Sequence, residues 1–272
     1  MEAAWRRSLL RALLLSGSMI LDTEYCLLSL GGLLFQYELQ DPETSALLKG
    51  FIEKNESGLP AGTICVTSEY MEENHWLVGD EETSAAFLEF QSLMLATGNA
   101  LLSHKSALFH GAAMLWNGLA WIFTAPSGTG KTTQLRLWRK LFRKDVQVIN
   151  GDKPVLECRE DGSVRVCCSP WRGKEKLGHQ DLHAPLGGIV LLEQGAQNHM
   201  ERLSMADAVL PLFTEFVSFP ENEEQIRCQA EILTRILDAV PVWKLTNLGD
   251  EASALLTQKT LSIYLEEQHD KR

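Results

Sequence analysis

The stretch Ser127, Gly128, Thr129, Gly130, Lys131, Thr132 and Thr133 sets an ammonium group and two hydroxyls directly after a pair of glycines. That order suits phosphate binding. Glycines let successive backbone N–H groups converge on phosphate oxygens, and a helix that follows adds its positive end. Lys131 would then reach the terminal phosphates, and the Thr132 hydroxyl would ligate Mg²⁺. The common pattern is G-x-x-x-x-G-K-[ST]. Here Ala125 stands where its first glycine would be, so that corner must keep a negative φ or be strained. The alternative is an ordinary glycine turn capping a helix, with Lys131 merely solvated.

Three further residues carry candidate chemistry. Asp152 follows a short apolar strand at the polar bend Asn150-Gly151-Asp152. A carboxylate at the end of a strand beside a phosphate loop is where Mg²⁺ or an attacking hydroxyl needs one. The rival reading is an Asx turn, with Asp152 only bracing the bend. His110 lies on the apolar run Ala107 to Trp116, close in sequence to the loop. Imidazole suits proton traffic, but a lone histidine on such a run also reads as a satisfied core residue. Glu193, ending the apolar run from Ile189, is a competing metal-site residue. A long segment, Ser169 to Gly188, holds Trp171, Arg172, Lys174, Lys176, His179 and His183. Its cations suit phosphate or substrate; otherwise it is a surface loop anchored by Trp171.

The elements that must position these groups follow from periodicity and turn chemistry. Leu119 to Phe123 reads as a strand feeding the loop, and Asn117-Gly118 pairs it with the preceding strand in a hairpin. Thr132 to Lys144 reads as a helix with Leu135, Trp138 and Leu141 inward. Its basic residues Arg136, Arg139, Lys140, Arg143 and Lys144 read as a solvated face. Upstream, Gly31 to Leu39 and Thr63 to Tyr70 read as strands, and Asp41 to Lys54 as a helix capped by Asp41. Thr83 to Ser103 reads as a helix burying Phe87, Phe90 and Met94. Downstream, Ser163 to Cys168 and Pro241 to Asn247 read as strands, and Met205 to Phe216, Ile226 to Val240 and Glu251 to Glu267 as helices. The acidic stretch Glu69 to Glu82 reads as a boundary loop, with Glu81 and Glu82 in the first turn of the next helix, or as a site for a basic partner. The division expected is an N-terminal α+β region, 1–80, and a nucleotide-binding domain, 81–272.

Composition bounds the function. A formal charge of −11 over 272 residues argues against a general nucleic-acid binder, which needs a basic face. The six cysteines show no metal or C-x-x-C spacing and read as reduced thiols of a cytoplasmic protein. The N-terminal stretch through Leu21 is interrupted by Arg11, so it reads as part of the fold rather than a cleaved signal, and no segment reaches membrane-spanning length.

From Phe109 onward the chain resembles the catalytic domain of HPr kinase/phosphorylase. The residues that carry this are FHGAAMLWNGLAWIFTAPSGTGKTT and, further on, INGDKPV. SGTGKTT is also similar to the loop of ATP-dependent phosphoenolpyruvate carboxykinase, which shares that fold. The resemblance spans roughly Leu102 to Leu265. It implies an α/β (α+β) fold with a mixed sheet, Ser127 to Thr133 holding ATP phosphates, Thr132 and Asp152 on Mg²⁺, and Asp152, His110 and Lys131 carrying the chemistry. Asp152 takes the place of the second acid of the family's Asp-Asp pair, and Gly151 replaces the first. Asp152, Glu193 or Glu157 would then serve the remaining carboxylate role, or nucleotide would bind without phosphotransfer. The function expected is an ATP-dependent kinase acting on a hydroxyl, a serine of a peptide or protein such as a ribosomally made precursor. The alternatives are a nucleotide-binding accessory module and a small-molecule kinase.

Overall fold

The computed structural model describes residues 24–53, 58–78 and 83–270. The N-terminal stretch to Leu21, Lys54 and the acids Asp80, Glu81 and Glu82 lie outside these residues, as does the expected domain boundary. The architecture is mixed α/β, with a small N-terminal sheet ahead of a large mixed one.

The small sheet joins β1 (Glu24–Leu30), β2 (Leu33–Leu39) and β3 (Gly62–Cys65). Gly31 and Gly32 both adopt positive φ and turn β1 back onto β2. Between β2 and β3 the expected long helix shrinks to α1 (Thr44–Leu48). Asp41 caps nothing; its carboxylate accepts from the Glu43 amide as an Asx turn. Gly50, at positive φ, then turns the chain, and Ile52 bridges to Leu28 of β1. The strand expected through Tyr70 stops at Cys65, because Thr67 caps α2 (Ser68–Glu73) by accepting from the Tyr70 amide.

Helix α3 (Ala85–Leu102) starts at its Ser84 cap, and its first turn holds no acidic residue. It buries Phe90 and Met94, whereas Phe87 is 39% exposed. Its Gly98 is required by close approach, since a Cβ there would stand 1.7 Å from the Val217 carbonyl oxygen.

The nine-stranded sheet contains β4 (Ser106–Leu108), β5 (Ala112–Trp116), β6 (Leu119–Thr124), β7 (Gln147–Asn150), β8 (Val155–Cys158), β9 (Val164–Cys167), β10 (His183–Gln194), β11 (His199–Arg202) and β12 (Val242–Asn247). Its path is β4-β8-β9-β10-β6-β5-β7, with β12 also on β10 and β11 outside β12. Strand β10 joins the two halves. Its first residues run antiparallel to β9, and its later ones run parallel to both β6 and β12. Because β5 is antiparallel to both β6 and β7, strands β6, β7, β10 and β12 all end on one edge. Ligands in open α/β sheets gather at such an edge. The single strand expected over Ala107 to Trp116 is broken at Phe109 to Gly111, and His110 sits in the break.

Strand alternation divides the core. Ala120 and Ile122 of β6 join a cluster with α3, while Trp121 and Phe123 join one with Leu135 and Trp138 of α4 (Lys131–Phe142). The small sheet's Leu28, Phe35 and Tyr37 belong to the first cluster together with Leu93. Helices α5 (Met205–Phe213), α6 (Glu223–Ala239) and α7 (Glu251–His269) complete the fold. Helix α5 contains Pro211 and ends before Phe216, which instead forms a bridge with Phe109.

Candidate functional site

The turn between β6 and α4 puts Gly128 at φ 82° and Gly130 at φ 120°, where other residues are strained. Ala125 is buried and keeps a negative φ, so the missing first glycine introduces no strain. Gly130 stands at the N-cap of α4 with no side-chain cap, whereas α3, α5, α6 and α7 are capped by Ser84, Ser204, Asn222 and Asp250. The first-turn amides of α4, which intrahelical bonding cannot use, therefore open toward the loop. Lys131 is buried, and its Nζ donates to the Ala125 carbonyl at 2.6 Å and the Pro126 carbonyl at 3.3 Å. Burial pulls its pKa below the usual lysine value, and the carboxylates of Glu215 and Asp152 offset part of that.

A cavity of about 470 Å³ opens at this turn. It is lined by Ser127, Gly128, Gly130, Lys131, Thr132 and Thr133 on one side and by His110, Gly151 and Asp152 on another. Thr129 faces a second cavity, described below. The bend at Asp152 is braced by its neighbour: the Asn150 Oδ1 accepts from the amides of Asp152 and Lys153, both at 2.8 Å. Asn150 thus fills the Asx role, which leaves the Asp152 carboxylate, 30% exposed, to face His110 Nε2 at 3.6 Å. Its other oxygen accepts from Lys153 Nζ at 3.0 Å.

The loop after β9 closes the cavity with Arg172, Gly173, Lys174, Glu175 and Leu177. It is shorter than the segment expected to Gly188, because β10 already begins at His183. Trp171 anchors it by donating from Nε1 to the Phe90 carbonyl at 2.9 Å. Arg172 rests over the Phe51 ring and donates to the Gly178 carbonyl, while its buried Nε has no partner. Arg136 of α4 pairs with Glu175, so one residue of the expected solvated face lines the cavity. Four cations, Lys131, Arg136, Arg172 and Lys174, face two carboxylates, Asp152 and Glu175. With the uncapped amides, this donor set suits a polyanion.

Neither rival carboxylate reaches this cavity. Glu157 is held by Arg159 and Arg165 on the β8–β9 hairpin. Glu193 is 58% exposed, accepts from Thr246 Oγ1 and lies near Lys244. It lines the second cavity, about 950 Å³, on the far side of Pro126 to Thr129. A residue that sequence reasoning missed is Glu215: its side chain is almost fully buried, and its Oε2 lies 2.8 Å from His110 Nδ1. It lies 105 positions from His110, on irregular chain after α5, so no local pattern marked it.

Among the described residues, no group of three or more His, Cys, Asp or Glu side chains is arranged to hold a metal ion. Mg²⁺ bound with phosphates takes only one or two protein ligands, and Thr132 and Asp152 line the same cavity. Among those residues no helix is long and apolar enough to cross a membrane. Burial pushes the thiols of Cys158 and Cys167 up to about 11 and that of Cys168 up to about 12.

No protein-family model and no curated protein sequence matches the chain. Among solved structures it is similar to the Hpr(Ser) kinase/phosphatase from Coxiella burnetii, at 10% identity and a TM-score of 0.32, over 60% of this chain and 96% of that one. Superposition at that level says nothing about mechanism. The chemistry has to come from this chain's own side chains.

Proposed function

We propose that residues 81–272 form an ATP-dependent kinase that transfers the γ-phosphoryl group to a hydroxyl, a serine of a peptide or protein. The observation that carries this is convergence: an uncapped helix start behind a positive-φ glycine loop opens into the same cavity as His110 and Asp152. Phosphoryl transfer asks a protein mainly for positioning and charge neutralisation.

In this reading Ser127 to Thr133 hold the phosphates, with amides from Gly130 to Thr132 as donors. Lys131 releases the two loop carbonyls and turns its ammonium to the terminal phosphates. Thr132 and Asp152 would hold Mg²⁺, which when bound neutralises phosphate charge. Arg172 and Lys174 supply further positive charge from the covering loop. Asp152, beside His110, takes the proton of the acceptor hydroxyl as its oxygen bonds to the γ-phosphorus and ADP leaves. A ribosomally made precursor peptide is the acceptor class proposed, and nucleic acid is not, given the net charge of −11.

A second reading, a nucleotide-binding module without transfer, is favoured by Gly151 standing in place of an acid and by the Lys153 contact on Asp152. Incubation with Mg·ATP and serine-containing precursor peptides separates the two. Phosphopeptide formation that is lost in Asp152→Asn supports the kinase. Tight ATP binding with no product on any peptide supports the module.

A further inference from the structure

We infer that Glu215 is a positioning residue for His110: its carboxylate holds the imidazole at Nδ1 and so turns Nε2 toward Asp152. The inference rests on the kinase reading for its consequence, but its geometry stands by itself.

A carboxylate as buried as that of Glu215 needs a partner, and an ionised one can only accept hydrogen bonds. The contact with His110 Nδ1 at 2.8 Å supplies that partner, and an ionised Glu215 there accepts from an Nδ1–H. The opposite nitrogen, Nε2, then points at the Asp152 carboxylate across 3.6 Å, toward the cavity. A ring oriented at one nitrogen and presented at the other is the arrangement in which a third group fixes the tautomer of a working histidine.

The main chain holds both partners in register. The His110 amide donates to the Glu215 carbonyl at 2.7 Å, and the Val217 amide donates to the Leu108 carbonyl at 2.9 Å. Phe109 bridges Phe216, and Thr124 Oγ1 donates to the His110 carbonyl at 2.7 Å. The break between β4 and β5 is thus filled by residues 215–217, which Gly98 of α3 admits.

The loop that presents Arg172 also leaves no room for a side chain next to Asp152. A Cβ at Gly151 would lie 2.8 Å from the Arg172 carbonyl oxygen and 3.2 Å from the Leu177 Cβ. The loop that closes the cavity occupies the room an aspartate would need.

The test uses the full chain labelled with ¹⁵N, at about pH 8, above the ordinary imidazole range. Long-range ¹H–¹⁵N spectra of the His110 ring, assigned against His110→Gln, are compared with the rate of ADP release from Mg·ATP with water as acceptor. The wild type should show the Nδ1–H pattern. Glu215→Ala should lose it, and kcat should fall about 10- to 100-fold with little change in the KM for ATP. Glu215→Asp should restore the pattern and part of the rate. If Glu215→Ala does not fold, Glu215→Leu, close in size and without an acceptor, should still lose both the pattern and the rate. A wild-type ring carrying a proton on Nε2 alone, or a Glu215→Leu protein with full kcat, overturns the inference. Should the wild type release no ADP and bind no ATP, the kinase reading falls, while the ring spectra still decide the tautomer.

Discussion

Two cavities flank the Pro126 to Thr129 stretch, and each has an acidic residue from the end of a strand or just beyond it. In one, Asp152 stands beside His110, and cations outnumber carboxylates in the lining. In the other, Glu193 is more than half exposed, and Glu201 and Asp207 share the lining with Arg202 and Lys244. Lys244 is occupied there by Glu201 at 3.1 Å. Position at a strand end is common to both acids, so position alone does not make a site. The difference is convergence: the first cavity gathers an imidazole, a buried lysine and helix-start amides around its carboxylate, and the second leaves its charges paired in solvent, where pairs contribute little.

The sharpest way to break this comparison is at Lys131. Lys131→Ala should weaken Mg·ATP binding by at least about 10²-fold, read by calorimetry. Asp152→Asn should cut turnover by about 10²-fold or more while ATP still binds. Glu193→Gln, made in parallel, should leave turnover within about twofold. A large loss at Glu193 with none at Asp152 would exchange the roles of the two cavities.

Structural substitutions give smaller effects. Gly98→Ala forces a methyl group against the Val217 carbonyl and should cost about 1–3 kcal/mol, read as a lowered denaturation midpoint, with residues 215–217 displaced. Gly151→Asp, which would set a second acid beside Asp152, should displace the Arg172 to Leu177 loop and reduce ATP affinity rather than raise turnover. A last effect is on pH. The buried thiols keep their protons up to about 11 for Cys158 and Cys167 and about 12 for Cys168, against 9.0 for an ordinary cysteine. The unfolded chain therefore binds fewer protons between those values, so their contribution to stability is full below pH 9.0 and is lost as pH rises through 11 to 12. Cys168→Ser should narrow the alkaline part of that loss in a denaturant series.

These contrasts also show what a sequence can carry. The turn from Leu119 to Thr133 was legible because its strand, glycines and helix are contiguous, and the Asn117-Gly118 hairpin announced itself through residues that accept positive φ. Asp152 was legible as a strand-end acid, but Asn150's part in freeing it was not. Glu215 was hidden because α5 stops at Phe213 and the following residues pair with a distant strand break, a tertiary choice that no periodicity encodes. The helix expected over Asp41 to Lys54 failed for the opposite reason: local capping cues were strong, and the pairing of Ile52 with the small sheet overrode them.

The central claim is that the β6–α4 turn holds a triphosphate beside His110 and Asp152. Titrating Mg·ATP into the full chain in a calorimeter tests it most directly: the account predicts saturable heat at one site per chain, abolished by Lys131→Ala. No heat from the wild type, or equal heat from Lys131→Ala, would contradict it.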